Sequence, residues 1–268
     1  MNKEKKYILE DMTYIEIEEA VDQGIETIVI PIGSTEGHGP HLILSSDSIT
    51  CTLVGKKIAK KLGCILAPTQ PYGQASTHRK FKGTISLTNQ TLIFLTEDIC
   101  NSVIKQGFKK IMIINGNEEN IPALSIAARN IKEKTGCIIT VSSWHKAVEK
   151  VWMKAPGIKD TELENDTWYN FAAHGGLMET SVIMSYKPYA LRMDLAKTVK
   201  STQKVVGDMG LVGSEFFYPA DFDEISESGH GGNPENALKE MGEFLVEAAA
   251  DQIIQKHLKL WEYLDNNI

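Results

Sequence analysis

Short apolar runs alternate with longer helical patterns through the first half of the chain. Four runs have the length and composition of strands, at residues 27–32, 64–68, 110–114 and 137–142. Three stretches between them have apolar residues at helical spacing and end before a glycine, at residues 48–62, 91–106 and 121–135. Strands joined by helices of this length predict an α/β fold, with a mainly parallel sheet covered on both faces.

The chain is long enough for one domain with a substantial hydrophobic core. Its 268 residues are 42% hydrophobic and contain no low-complexity tract, so we expect a single domain over residues 1–268. The last predicted element is a long amphipathic helix over residues 234–264, with proline in its first turn. Residues 155–170 and 201–232 are predicted as loops and turns.

Polar side chains follow three of the predicted strands. Glu36 and His38 follow the first, a polar run at residues 115–120 follows the third, and Trp144 and His145 follow the fourth. Ligands of parallel sheets bind beyond the carboxyl ends of the strands. We therefore expect a site at this edge of the sheet, although the pattern names no reaction.

The loop after the first strand carries a cluster of potential metal ligands. Glu36, His38, His41 and Asp47 lie within twelve positions, among glycines that let the backbone bend tightly. Carboxylate oxygen combined with imidazole suits Zn, Mn or Fe better than Ca or Mg. A polar surface loop is the alternative, but four candidate ligands in one loop favour a metal site.

Charge and hydropathy exclude several classes of partner. The net charge is −7 and no long run of lysine or arginine occurs, so nucleic acid is not an expected partner. No window approaches the ~20 apolar residues of a membrane span, and we expect a cytoplasmic protein without membrane contact. The four cysteines are widely spaced and lie in apolar patterns, which predicts buried free thiols.

Four short motifs occur in a fixed order along the chain. The first, Glu-x-His-Gly-x-His followed by an aspartate, comprises Glu36, His38, Gly39, His41 and Asp47. The others are Gly-Thr-x-Ser-Leu at residues 83–87, His-Gly-Gly-x-x-Glu-Thr-Ser at residues 174–181, and Gly-x-Pro-x-x-Ala at residues 232–237. Together they resemble the motifs of the creatininase family of metal-dependent amidohydrolases. The resemblance implies a three-layer α/β/α sandwich, usually in a homohexamer.

The same resemblance implies a binuclear metal site bridged by Asp47. One ion would bind Glu36 and a motif histidine, but this chain has Asn117 at that position; the other ion would bind His38 and Glu119. An amide oxygen is a weaker, uncharged ligand, so the first ion would bind less tightly or be a harder one such as Mn or Mg. The expected cofactor is Zn²⁺ and/or Mn²⁺, with one or two divalent ions per chain.

The activity implied by the resemblance is hydrolysis of a small C–N substrate. A metal-activated water would attack the carbonyl of a cyclic amide, a formamide or a related compound, as in creatinine amidohydrolases. His174 would carry the proton to the leaving group and Glu119 would take part in catalysis. Four further residues are expected to contact the small-molecule substrate or hold it in place: Ser76, His78, Trp144 and Glu179.

Two other functions remain open. The first is ring-opening hydrolysis of a cyclic ketone of the keto-inositol type, and the second is a catalytically silent relative that acts as a binding protein. The resemblance also implies a second pocket tryptophan at position 170, where this chain has Asn170, with Trp168 nearby. This departure argues against creatinine as the substrate. For Trp144, packing in the hydrophobic core is an equal alternative.

Overall fold

A parallel sheet lies at the centre of the computed structural model, which describes residues 6–158, 171–199 and 219–267. Within these residues the sheet has the strand order β2-β1-β3-β4. The strands are β1 Thr27–Ile32, β2 Ile65–Leu66, β3 Lys110–Asn115 and β4 Ile138–Ser143. All three pairings are parallel. The predicted α/β fold with a parallel sheet is confirmed.

Helices cover both faces of this sheet. They are α1 Tyr14–Asp22, α2 Ser46–Leu62, α3 Asn89–Lys105, α4 Ile121–Thr135, α5 Trp144–Val148, α6 Leu177–Tyr186, α7 Phe222–Ile225 and α8 Lys239–Asn267. Because side chains alternate along a strand, Val29 packs with α2, α6 and α8, whereas Ile28 and Ile30 pack with α3 and α4. The result is the expected three-layer α/β/α arrangement.

Local signals set the ends of several helices. Gly63 and Gly136 adopt positive φ angles of 65° and 70° directly after α2 and α4, as the predicted helix stops require. The Thr88 side chain accepts a hydrogen bond from the Thr91 N–H, so α3 begins slightly before its predicted start. The helix α2 also begins two residues early, at Ser46, and this places Asp47 in its first turn.

Two predicted elements differ from the structure. The strand predicted at residues 64–68 is shortened to Ile65–Leu66; beside it, Pro31 of β1 has no N–H for a ladder hydrogen bond. The last helix begins at Lys239 rather than at residue 234, and Pro234 lies in a separate turn. The Leu238 N–H donates to the Ser181 hydroxyl instead of continuing that turn, a contact that no local pattern encodes.

Several smaller expectations can also be compared with the structure. The four cysteines are buried and free, as predicted. None of the described helices is long and apolar enough to cross a membrane. Most of the predicted loops at residues 155–170 and 201–232 fall outside the described residues.

Candidate metal centre and pocket

The carboxyl ends of the strands open into a pocket of about 210 Å³. Most of the predicted site residues line it, although they come from distant parts of the sequence: Glu36, Asp47, His78, Asn117, Glu119, His174 and Glu179. His38 lies directly behind this wall with no exposed surface. Of the residues that the strand pattern directed to this edge, Glu36, Asn117, Glu119 and His145 line the pocket, whereas Trp144 does not.

A first group of potential ligands comprises His38, Asp47 and Glu179. The Nε2 atom of His38 lies 2.9 Å from Asp47 Oδ1 and 3.7 Å from Glu179 Oε2. All three side chains are buried, and their ligand atoms lie within 4.8 Å of one another. The glycine pair before α6 turns the chain so that the Gly175 N–H donates to Glu179 Oε2 over 2.7 Å. This hydrogen bond directs the carboxylate toward His38.

A second group comprises Glu36, His38 and His174. Glu36 Oε1 lies 3.6 Å from His174 Nδ1 and 3.9 Å from His38 Nε2. Each imidazole is anchored on a main-chain carbonyl of the same short segment. His38 Nδ1–H donates to the Glu36 carbonyl over 3.1 Å, and His174 Nε2–H donates to the Gly37 carbonyl over 2.8 Å. Their other ring nitrogens, His38 Nε2 and His174 Nδ1, both face carboxylates.

These donor atoms fit a divalent transition-metal ion. Tetrahedral ligands at about 2.0–2.2 Å from an ion are about 3.3–3.6 Å apart. The separations of His174 Nδ1 from Glu36 Oε1, 3.6 Å, and of His38 Nε2 from Glu179 Oε2, 3.7 Å, are close to this range. A ligating imidazole commonly donates its second N–H to a carbonyl, as both histidines do here. Two more buried atoms at the pocket, His78 Nε2 and Glu119 Oε2, have no hydrogen-bond partner among the described residues.

Asn117 presents a donor, not an acceptor, to this cluster. Its Nδ2 amide group donates to Glu36 Oε2, and its Oδ1 atom accepts the Glu119 N–H at 2.8 Å. The opposite amide orientation would set an oxygen against the Glu36 carboxylate and two N–H groups against each other. Asn117 was predicted as a ligand, but in this arrangement it holds Glu36 in place.

Glu119 and His78 form a separate pair in the pocket wall. His78 Nδ1 lies 3.2 Å from Glu119 Oε1, and Thr77 also hydrogen-bonds this carboxylate. Phe222 from α7 stacks on the His78 ring, with centroids 4.6 Å apart. Among the described residues, Glu119 belongs to neither of the two ligand groups, whereas Glu179 belongs to one. The predicted ligand role of Glu119 therefore stays a prediction.

Burial and neighbouring charges shift the pKa values of these groups. Burial raises the pKa of Glu36 to about 8. Burial also lowers the pKa of His174 well below its usual value, assisted by the nearby His38 and His78. The pKa of His38 is raised despite its burial, because Asp47 and Glu179 stabilise its charged form. The apo cluster therefore has more buried acid groups than it can ionise together.

Three other predicted residues lie away from the cluster. The Trp144 side chain is fully buried in the hydrophobic core and does not line the pocket. Its position agrees with the alternative of core packing and not with a contact to the substrate. Ser76 accepts a hydrogen bond from Gln74 at 2.7 Å and is also absent from the pocket wall. His41 contacts Thr180 Oγ1 at 3.1 Å and packs against the ring of His230. Positions 168 and 170 are outside the described residues.

Two pocket residues, His145 and Phe222, were given no role in the site from the sequence. His145 Nε2–H donates to Glu179 Oε1 over 3.0 Å and so supports a potential ligand. Its position directly after β4 was a usable signal, because the predicted site lay at that edge. Phe222 had no such signal, since it reaches the pocket only through the packing of α7 against the turn that carries His78.

The comparisons with known proteins agree with this geometry. The family model described as creatinine amidohydrolase matches residues 10–256. The chain is 25% identical to creatinine amidohydrolase of Pseudomonas putida over 203 residues, 71% of this chain and 75% of that protein. It is 35% identical to the mycofactocin precursor peptide peptidase of Mycobacterium ulcerans (strain Agy99) over 115 residues, 40% of this chain and 46% of that one. It is 28% identical to the 3-dehydro-scyllo-inosose hydrolase of Thermotoga maritima over 149 residues, 54% and 48% of the two chains.

Solved structures give the same fold. A crystal structure of creatinine amidohydrolase matches with a TM-score of 0.76 and 21% identity, covering 94% of this chain and 97% of that one. Two others, described as a mutant creatininase of Zn–Zn type and as creatininase Mn, match with TM-scores of 0.75 and 0.76, at 22% and 23% identity over 94% of this chain and 97% of theirs. With a family model that spans residues 10–256, this chain belongs to the creatininase family.

Proposed function

We propose that the protein is a metal-dependent hydrolase that cleaves a C–N bond at the carbonyl group of a small amide, cyclic amide or formamide. Two of its relatives are described as an amidohydrolase and as a peptide peptidase, which both act on amide bonds. The observation that carries the proposal is the buried cluster of carboxylates and imidazoles at the pocket.

This cluster favours the binding of a cation. Glu36, Asp47 and Glu179 are each at most 4% exposed. In the part of the chain that the structure describes, their only ion-pair partners are histidines, with no lysine or arginine. Burying several carboxylates together is costly without a compensating charge. A protein with only a structural role would gain nothing from this arrangement.

The donor set favours Zn²⁺ or Mn²⁺ as the ion. We assign its ligands to His38, Asp47 and Glu179, with Glu36 beside them, and expect one or two ions per chain. Related solved structures are described as Zn–Zn and Mn forms, which supports this assignment. A bound divalent ion would polarise the substrate carbonyl and lower the pKa of water at the site.

The surrounding residues of the chain hold these groups and handle protons. The Ser34 hydroxyl lies between the Glu36 and Asp47 carboxylates, at 3.0 and 2.5 Å, and limits their movement. The His78 imidazole lines the pocket and is placed to exchange a proton with the reacting groups. Phe222 forms an apolar wall that excludes water from one side of the pocket.

The pocket restricts the size of the substrate. Its volume of about 210 Å³ is below the ~300–1,000 Å³ of pockets that enclose drug-sized ligands. A single small ring, a formyl group or the end of a chain fits such a space. The wall offers an aromatic face at Phe222 and charged groups at Glu118 and Lys146. We therefore expect a compact, polar substrate that carries one reactive carbonyl.

Elemental analysis together with a hydrolysis screen tests the proposal. The wild-type protein is reconstituted with Zn²⁺ or Mn²⁺ and compared with Asp47→Asn, and with Asp194→Asn as a control at an exposed ion pair. We expect one or two ions per chain in the wild type and the control, and a loss of metal in Asp47→Asn.

Substrates are then screened by mass spectrometry of the products. The panel contains creatinine, other cyclic amides, formamides, short peptides and a keto-inositol. Metal-dependent release of an amine or a formate, or metal-dependent ring opening of a cyclic amide, supports the proposal. A protein that binds no ion, or one that is metal-loaded and opens only the cyclic ketone, contradicts C–N hydrolysis. The second result would select the ring-ketone activity, which the Thermotoga maritima relative supports.

A further inference from the structure

We propose that His174 is a metal ligand through Nδ1 and replaces the imidazole that position 117 lacks. The inference rests on the proposed metal-dependent function and assigns one residue of its site. It differs from the role that the sequence resemblance gives to His174, which is proton transfer to the leaving group. The argument uses the orientation of three side chains: Asn117, His174 and His38.

The first step concerns Asn117. Its amide oxygen already accepts the Glu119 N–H, and its amide nitrogen lies against the Ser34 hydroxyl and the Glu36 carboxylate. Rotating the amide would break all three contacts and place oxygen beside a carboxylate. Asn117 thus turns toward Glu36 its amide nitrogen, which has no lone pair to offer an ion, and the position needs a ligand from elsewhere in the chain.

The second step concerns the tautomer of His174. A main-chain carbonyl can only accept, so the 2.8 Å contact with the Gly37 carbonyl places the proton on Nε2. In the neutral ring Nδ1 then carries the lone pair, and it lies 3.6 Å from Glu36 Oε1. This distance is too long for a direct hydrogen bond. It matches two atoms that bind one ion between them.

The third step is the comparison with His38. This imidazole is anchored in the same manner, through the neighbouring Glu36 carbonyl, and its other nitrogen faces Asp47, with which it makes a 2.9 Å contact, and Glu179. The two rings lie side by side, with centroids 4.1 Å apart. The paired anchors indicate that both rings are positioned for coordination. His174 also lies close enough to His38 and Glu36 to form a ligand group with them.

The assignment separates the role of His174 from that of His78, another imidazole in the pocket wall. His78 uses Nδ1 to contact Glu119, and its buried Nε2 has no hydrogen-bond partner among the described residues. An imidazole oriented by a carboxylate, with the opposite nitrogen free, is suited to proton transfer. The ring centroids of His78 and His174 are 4.2 Å apart. A substitution of His78 is therefore a matched control for a substitution of His174.

The test measures metal binding and needs no substrate. Metal-free wild-type protein, His174→Ala, His174→Gln and His78→Ala are titrated with Zn²⁺ by calorimetry, and visible spectra are recorded after loading with Co²⁺. We expect both His174 variants to lose one ion or at least about tenfold in affinity and to change the Co²⁺ spectrum. His78→Ala should leave the Zn²⁺ affinity close to that of the wild type, because His78 belongs to neither ligand group among the described residues.

A rescue variant separates ligand loss from misfolding. In Asn117→His/His174→Ala the imidazole returns at the other position, and Zn²⁺ affinity should recover to within about tenfold of wild type. Unchanged binding and spectra in both His174 variants would overturn the assignment, as would an equal loss in His78→Ala or a folded double variant without recovery. A wild-type protein that binds no metal would also overturn the proposed function, whereas these other results would leave it standing.

Discussion

Replacing Glu36 with glutamine should stabilise the metal-free protein and weaken metal binding at the same time. Burial raises the pKa of Glu36 from 4.5 to about 8. As the pH rises above 4.5, the unfolded chain loses this proton while the folded protein keeps it, so stability falls with increasing pH up to about 8. Glutamine cannot ionise and avoids this loss.

The size of the effect follows from the pKa shift. A pH of 7 is about 2.5 units above the pKa of this carboxyl in the unfolded chain. At about 1.4 kcal/mol per pH unit, the folded protein loses about 3 kcal/mol of stability. Near pH 5 the same calculation gives less than about 1 kcal/mol. Glu36→Gln should therefore gain stability mainly at neutral pH. The Ser34 and Asn117 groups that donate to Glu36 can donate equally well to the glutamine oxygen.

Urea unfolding in the presence of a chelator, at pH 5 and pH 7, measures this difference. Glu119→Gln is a matched control in the same pocket, because the pKa of Glu119 is lowered: although burial alone would raise it, His78 and Thr77 stabilise its charged form. That substitution should destabilise the apo protein. With saturating Zn²⁺ the wild type should become more stable than Glu36→Gln. No gain in the apo variant at pH 7, or an equal gain at pH 5, would refute the reasoning.

Two further substitutions test the packing of the fold and the support of the site. A Cβ at Gly242 would overlap the Ser181 carbonyl oxygen where α8 crosses α6, so Gly242→Ala should cost about 1–3 kcal/mol in urea unfolding. Gly55→Ala, whose Cβ would meet side-chain rather than backbone atoms and none closer than 3.0 Å, should change stability by less than about 1 kcal/mol. His145→Ala removes the donor that holds Glu179, and Zn²⁺ affinity should fall about 10–100-fold by calorimetric titration. An unchanged affinity would show that Glu179 is held without it.

Local sequence signals predicted most of the fold. The bounds of β1 and α4 are those expected, because an apolar run between turn residues and a glycine after the last turn act within a few residues. The predicted start of α8 was wrong. The Leu238 N–H, just before the helix, donates to the hydroxyl of Ser181, which is distant in sequence. The layered arrangement followed from strand and helix alternation alone. The single domain and the homohexamer stay predictions.

The site was predictable to a lesser degree. Potential ligands that are close in sequence can be recognised from their spacing. His38 and Asp47 are an example, and their side chains are 2.9 Å apart in the structure. The orientation of Asn117 depends on Glu36 and on the Glu119 N–H, which belong to different segments. Glu119 likewise turns toward His78 through contacts made by a loop far away in sequence. Such preferences are set by packing between segments, and a single sequence does not display them.

The adjacent carbonyls of Glu36 and Gly37 have a consequence for engineering this protein. Each carbonyl fixes one imidazole, so a change of backbone there displaces both rings at once. A side chain at Gly37 would meet the Cβ of Phe81 at 2.6 Å and force such a displacement. Libraries that aim at new substrates should keep this dipeptide fixed and vary Lys146, which lines the pocket and is not part of either anchor.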